Sequence, residues 1–450
     1  MKKKIKKLLC VIISVSCLII SNISLISYAA YKTPFDLECK GCYLFNVDTG
    51  TVLYEKNKDL KLEPASLVKV MTAIIALEKI KDIDNTTVTA KGYIFDYLYG
   101  LNGTTAGIVK GETLTIRQLL ECMLTQSACE AAMMIADAVC PDDIEGFVTL
   151  MNNKAKSLGA KNTNFTNPHG LHDDQEYSTA YDMFLITKHA MELPAFMDIV
   201  SRTSHQIPAT NKRDSFEVYT TIDPMKKSSK YYYPPIRGIK TGTEEAGRSF
   251  VSSASKDGFT YICCVLCAPY RDEKTGKVIS GNKAFEETIK LYDWVFDNFN
   301  LKTVMMADTP TAEVKLKYVM NKDHLKLTTE KNIIALIPKE TDISSVKTTY
   351  NLPEEVLAPI KKGDLIGTAK LTLDGADISE CNLISFETVK RNWFLYSLDI
   401  IKKVFDFIVF KVIGIILIIC LIIFVLIFII RIKNQKNQSR RKSRKNNIFR

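Results

Sequence analysis

A chain of 450 residues, 46% of them apolar, is long enough for more than one folded core, and that composition excludes a disordered or low-complexity protein. The net charge of +10 would suit a nucleic-acid binder, but its distribution excludes that class: Lys2, Lys3, Lys4, Lys6 and Lys7 supply five positive charges, and residues 431–450 supply nine with no acid. Once those fourteen are set aside, 46 bases face 50 acids, so the basic excess belongs to the termini, where it sets membrane orientation.

The opening lysines precede an apolar run, Leu8 to Ile20, and then Ser27-Tyr28-Ala29-Ala30. Residues 1–30 therefore read as a secretory signal with a small-x-small cleavage site; apolar character persisting to Ile26 keeps an uncleaved anchor as the alternative. Cys42 to Val47 and Thr51 to Tyr54 flank Asp48-Thr49-Gly50, a hairpin signal. Helical patterns are predicted over Leu67 to Ile80, Ile116 to Ala138, Ile144 to Leu158 and Ala180 to Met191, and strands over Ile236 to Thr241, Arg248 to Ser255 and Thr260 to Cys267. Ala284 to Phe299 closes this part as a helix. Strands at both ends with helices inserted between them predict an α+β domain built on one antiparallel sheet, over residues 31–300. Short alternating runs at Ala312 to Tyr318, Leu325 to Leu327 and Leu365 to Leu373 predict a small β-rich domain over 301–388. Residues 389–411 mix aromatic residues with Lys402, Lys403 and Asp406, which suits an interfacial amphipathic segment. Val412 to Ile430 is nineteen residues without a charge, a transmembrane helix by length, and 431–450 is a basic cytoplasmic tail, which leaves the rest of the body outside.

Three short elements carry the chemistry: Ser66-Leu67-Val68-Lys69, Ser127-Ala128-Cys129 and Lys240-Thr241-Gly242. Alone, each pattern is common. Ser-x-x-Lys recurs at Ser253/Lys256, Ser344/Lys347 and Ser439/Lys442, and Lys-Thr-Gly recurs at Lys274 to Gly276. Context selects the first copies. Pro64 can occupy a first helical turn, and the run from Leu67 to Ile80 is apolar nearly all round, so Ser66 opens a buried helix with Lys69 on its own face. A lysine kept from water beside a second cation has a lowered pKa, so a free amine can take the serine proton. Lys240 lies between the apolar flanks Ile236, Ile239, Phe250 and Val251, with the turn expected over Gly242 to Gly247. There a cationic Lys240 and the Thr241 hydroxyl would hold a substrate carboxylate, while the main-chain N–H groups of Ser66 and Thr243 would stabilise an oxyanion.

Pro64 to Thr72, Gln126 to Ala132, Asn167-Pro168-His169-Gly170-Leu171 and Gly238 to Gly247 together resemble the serine D-alanyl-D-alanine carboxypeptidases, the low-molecular-mass penicillin-binding proteins. The resemblance runs from about Cys42 to Asn300, and more weakly through Val356 to Thr368. It implies a D,D-peptidase and β-lactamase-like fold, an antiparallel sheet with a helical cluster, followed by the small β-rich domain. It also implies Ser66, Lys69 and Ser127 as catalytic residues, and Cys129, Lys240, Thr241, Gly242 and Thr243 as substrate-binding. The implied partners are a peptidoglycan stem peptide ending in D-Ala-D-Ala, β-lactams as inhibitors and the membrane; no nucleic acid, metal or organic cofactor is expected. The second element of the family usually ends in Asn, and Cys129 cannot offer both functions of an amide, so altered acylation or deacylation is expected. His169 is expected to order its turn rather than perform chemistry. The alternatives are a non-catalytic wall-binding scaffold, and D,D-transpeptidase or β-lactamase activity at the same site.

Twelve cysteines are present, and nine remain when Cys10, Cys17 and Cys420 of the apolar end segments are excluded. Cys39, Cys42, Cys263, Cys264 and Cys267 are open to three readings, as small apolar core residues, a disulfide or a metal site.

Overall fold

The computed structural model describes residues 33–446 apart from Glu273 and Asp374, so the expected signal over 1–30 lies outside the described residues. The chain divides into two compact units. The first holds the residues up to Val304 with Ile334–Thr349 and Lys370–Glu380; the second holds Met305–Ile333, Tyr350–Ala369 and the residues from Cys381 onward.

The first unit is organised by a five-stranded antiparallel sheet. Its strands are β1 (Gly41–Asn46), β2 (Thr51–Lys56), β3 (Ile236–Glu244), β4 (Gly247–Lys256) and β5 (Phe259–Ala268), in the spatial order β2-β1-β5-β4-β3. The hairpin β1–β2 forms as its sequence predicts: Asn46 Oδ1 accepts the Thr49 N–H at 2.8 Å, and Gly50 takes a φ of 71°. Side chains along β1 alternate between two cores, as a period of two requires. Tyr43 and Phe45 enter a larger core of helices, while Cys42 and Leu44 enter a smaller one under α5 (Lys283–Asn298). The sheet is thus covered on both faces.

On the larger face, α1 (Val68–Lys79) buries every residue from Val68 to Ala76, which explains its apolar composition. The predicted helix over Ile116 to Ala138 is instead two helices, α2 (Ile116–Thr125) and α3 (Cys129–Val139). The break falls at Ser127, whose φ of 67° cannot continue a right-handed helix. Below them, α4 (Ala180–Met191) lays Phe184 against Tyr43 and Phe45, with ring centroids 4.9 and 4.5 Å apart. On the smaller face, Phe285 of α5 meets Phe250 edge-on at 5.0 Å. The turn expected over Gly242 to Gly247 is shorter than predicted, because Gly242 pairs with Ser249 and Thr243 with Arg248 before the chain reverses.

Cys39, Cys42, Cys263, Cys264 and Cys267 are free thiols buried in this unit. Burial pushes the Cys42 thiol up, and the Cys263 and Cys39 thiols beside it add to the effect. Among the described residues no group of three His, Cys, Asp or Glu side chains is arranged to hold a metal ion.

In the second unit, strands Ala312–Lys317 and His324–Thr329 pair antiparallel, and Glu355–Leu357 joins the former in parallel. Val314, Leu316, Leu325 and Leu327 form its buried side. The predicted boundary at residue 411 is not a break, since one helix runs continuously over Trp393–Asn446. It is long and apolar enough to cross a membrane. Removing one of the two-sided core contacts should be costly: Phe184→Ala is expected to destabilise the fold by about 3–5 kcal/mol, read as a lowered urea midpoint of the full chain in detergent.

Candidate active site

The helix that carries Lys69 does not open with an α-turn. Ala65–Leu67 form a 3-10 turn that feeds α1, and Ala65 sits at a φ of 52°. This presents the half-buried Ser66 hydroxyl to Lys69 one turn later. Lys69 Nζ donates to Ser66 Oγ at 2.9 Å and to the His169 carbonyl, and it lies 3.5 Å from Cys129 Sγ. The lysine is wholly buried, and burial is the largest cause of its lowered pKa, with Cys129, Glu176 and Glu130 opposing. A depressed amine in contact with a hydroxyl is a base poised to accept its proton.

The break between α2 and α3 supplies the second hydroxyl. Lys240 Nζ donates to Ser127 Oγ at 3.0 Å and to the Thr241 carbonyl at 3.0 Å. Lys240 is also wholly buried, and its pKa falls well below the ordinary range through burial and then through the Lys69 charge. The expectation of a cationic Lys240 meets two opposing effects here, burial and the Lys69 charge, so its charged form is disfavoured unless an anion faces it. The Thr241 hydroxyl lies 2.7 Å from that of Thr221, a partner that no pattern in the sequence marks.

Gly242 is explained by close approach, since a Cβ there would stand 3.0 Å from the Pro64 carbonyl oxygen and 3.1 Å from Ala65 Cβ. Thr243, next along, is exposed. Among the described residues β3 pairs with β4 alone, so it forms the edge of the sheet. The structure therefore gathers Ser66, Lys69, Ser127, Cys129 and Lys240 through direct contacts and sets Thr241, Gly242 and Thr243 along the same strand edge. The Lys274 copy of the third element lies in an exposed loop.

The Asn167 to Leu171 turn does more than its sequence reveals. His169 Nδ1 accepts the Leu171 N–H at 3.1 Å, in keeping with an ordering role. Burial, aided by Lys69, brings its imidazole down to about 3, so it is neutral. What the sequence does not reveal is that the His169 carbonyl grips Lys69 and that the Pro168 carbonyl accepts Thr72 Oγ1 at 2.6 Å. Asn167 Oδ1 closes the turn by accepting from Gly170 N at 2.6 Å.

The comparisons with known proteins agree with this geometry. A D-alanyl-D-alanine carboxypeptidase family model matches residues 28–269, more than half of the chain. The chain belongs to this family. A second model, the penicillin-binding protein 5 C-terminal domain, matches residues 299–391. D-alanyl-D-alanine carboxypeptidase DacF of Bacillus subtilis is 30% identical over 359 residues, covering 80% of this chain and 87% of that protein. DacC of Escherichia coli is 30% identical over 387 residues, covering 83% and 88%. The crystal structure of penicillin-binding protein 5 from Haemophilus influenzae superposes with a TM-score of 0.63 at 28% identity, over 80% of this chain and all of that one.

In this D-alanyl-D-alanine carboxypeptidase family member, Gly170 tests the convergence most directly. Its φ is 71°, and an added Cβ would fall 2.1 Å from the Ala65 carbonyl oxygen, beside Ser66. Gly170→Ala is expected to lose about 2 kcal/mol or more of stability, read by thermal unfolding, because neither backbone can yield without moving the nucleophile.

Proposed function

We propose that the protein is a serine-type D-Ala-D-Ala carboxypeptidase that removes the terminal D-Ala from peptidoglycan stem peptides and binds penicillin. The observation that carries the reading is the buried Lys69 amine 2.9 Å from Ser66 Oγ, with a second buried amine on the Ser127 hydroxyl. The free amine of Lys69 takes the Ser66 proton as Oγ attacks the carbonyl between the two D-alanines. Main-chain N–H groups of Ser66 and Thr243 receive the oxyanion, and the strand edge at Lys240 and Thr241 holds the terminal carboxylate. The C–N bond then breaks, and Ser127, held by Lys240, relays a proton to the departing amine. Water cleaves the resulting Ser66 ester, giving the shortened peptide and restoring the hydroxyl. A penicillin presents its strained amide to the same Oγ and leaves a covalent ester.

Cys129 occupies the place of the usual Asn with a side chain that is a weak partner, and the expected consequence is altered kinetics rather than a lost reaction. A non-catalytic scaffold would have no use for a buried amine in contact with a serine hydroxyl. The helix over Trp393–Asn446 supports a membrane anchor, with the catalytic unit outside the cell and the basic end of the chain in the cytoplasm.

Mass spectrometry of the full chain in detergent should show one penicillin adduct on Ser66, absent in Ser66→Ala; a penicillin-free wild-type chain would overturn the assignment. Lys69→Ala and Lys69→Arg should each reduce kcat/KM about 10²–10⁴-fold, the second because a guanidinium stays protonated. The wild-type activity should rise with pH on a limb well below the ordinary lysine range, since burial lowers the Lys69 amine.

A further inference from the structure

One buried acid beside the site has no part in the steps above. Glu176 is only 4% exposed. Two isolated bridges fix the residues that follow it, Asn164 with Tyr177 and Leu62 with Ser178. Its Oε1 accepts the Thr166 N–H at 3.3 Å, while Oε2 has no hydrogen-bond partner among the described residues. A buried carboxyl with one unpartnered oxygen is poorly tolerated as an anion. Thr166 begins the turn whose Pro168 and His169 carbonyls hold Thr72 and Lys69. Glu176 is therefore joined through one short segment to the amine that serves as base.

We propose that Glu176 is a positioning residue of the D,D-carboxypeptidase reaction, sharing one proton with Lys69: with the proton on the carboxyl, the amine is free to accept from Ser66. This rests on the function proposed above and adds to it. The groups that face Glu176 are Asp173 from its own turn, Glu63 from the segment before Ser66, Lys69 from α1 and Tyr97 from the helix Gly92–Leu98. Asp173 and Glu63 make its ionisation harder; the Thr166 N–H favours it, and among the charged groups Lys69 does so too. Burial, the largest cause, carries the carboxyl up to about 8, and the same surroundings carry the Lys69 amine down. The two groups thus approach each other in proton affinity from opposite directions. A carboxylate at Glu176 keeps the proton on Lys69; a neutral acid does not.

Glu176→Gln in the full chain tests this, because the amide keeps an oxygen for Thr166 and removes only the charge. With D-Ala-D-Ala peptide as substrate, the acid limb of kcat/KM should move to lower pH by about half a unit or more, a roughly threefold gain on the limb whatever the height of the plateau. A limb that stays in place or moves to higher pH overturns the proposal. Thermal unfolding provides a second reading that does not depend on turnover. Because the folded carboxyl binds its proton more tightly than the unfolded one, wild-type stability should fall relative to Glu176→Gln as pH rises from about 4.5 to about 8; a constant gap counts against a shared proton. If Glu176→Gln does not fold, infrared titration of the wild-type chain should show a protonated carboxyl lost near pH 8, and no such band overturns the assignment. Superimposable limbs in two chains that both turn over peptide and label with penicillin refute Glu176 alone. Absence of turnover and label in both refutes the carboxypeptidase reading and this proposal with it.

Discussion

Two lysine amines, Lys69 and Lys240, are wholly buried near enough for the charge of one to depress the other, and most of what is unusual in the first unit follows from holding them there. An ammonium out of water is strongly disfavoured unless an anion faces it, so two amines buried side by side carry less than their full positive charge. In the reaction proposed above that deficit has two chemical uses: Lys69 would act as a base at pH values where a surface lysine would be an acid, and Lys240 would gain its charge back from a ligand carboxylate. Recognition of the terminal carboxylate and activation of the serine would then be one electrostatic event seen from two sides, because the charges of Lys240 and Lys69 bear directly on each other.

Holding both amines in place requires the backbone to leave its preferred regions at the contacts between three distant segments. Ala65 and Ser127 lie at positive φ without being glycine, each at a disadvantage of about 1 kcal/mol or more. Gly170 allows the main chain to approach Ala65 where a Cβ would collide, and Gly242 allows a close fit against Pro64 where a Cβ would be crowded. None of these is a local preference. They persist because α1 and the β3 edge are each fixed by packing on residues far away in sequence, so the strain sits where two rigid bodies meet.

The parts of this arrangement that were legible in the sequence are those with a period or a spacing. Ser66 and Lys69 lie one turn apart on a helix whose apolar character is continuous, and the short apolar segments of β4 and β5 mark strands. The helix break at Ser127 was not legible, because Gln126, Ser127 and Ala128 are each tolerable in a helix and the signal is a tertiary one. The carbonyl of His169 was equally invisible, since a backbone acceptor carries no residue type. Glu176 falls in no helical or strand pattern of the sequence, and its burial is what singles it out. Sequence thus reveals the side chains that react more readily than the main chain that aims them.

Cys129 gains a reason from the same electrostatics. Its Sγ lies 3.5 Å from Lys69 Nζ, and Gly103 packs so closely that an added Cβ would stand 2.9 Å from the sulfur. The thiol therefore occupies a snug position with little room to reorient. An amide in that place would offer the lysine a good oxygen acceptor and favour its protonated form, whereas sulfur accepts weakly. The burden of holding Lys69 then passes to the His169 carbonyl and the Ser66 hydroxyl. Cys129 works against burial in holding the Lys69 pKa up, yet its sulfur gives the amine no firm grip on orientation. The replacement thus makes the turn that carries His169 more important to the geometry than it would be beside an asparagine.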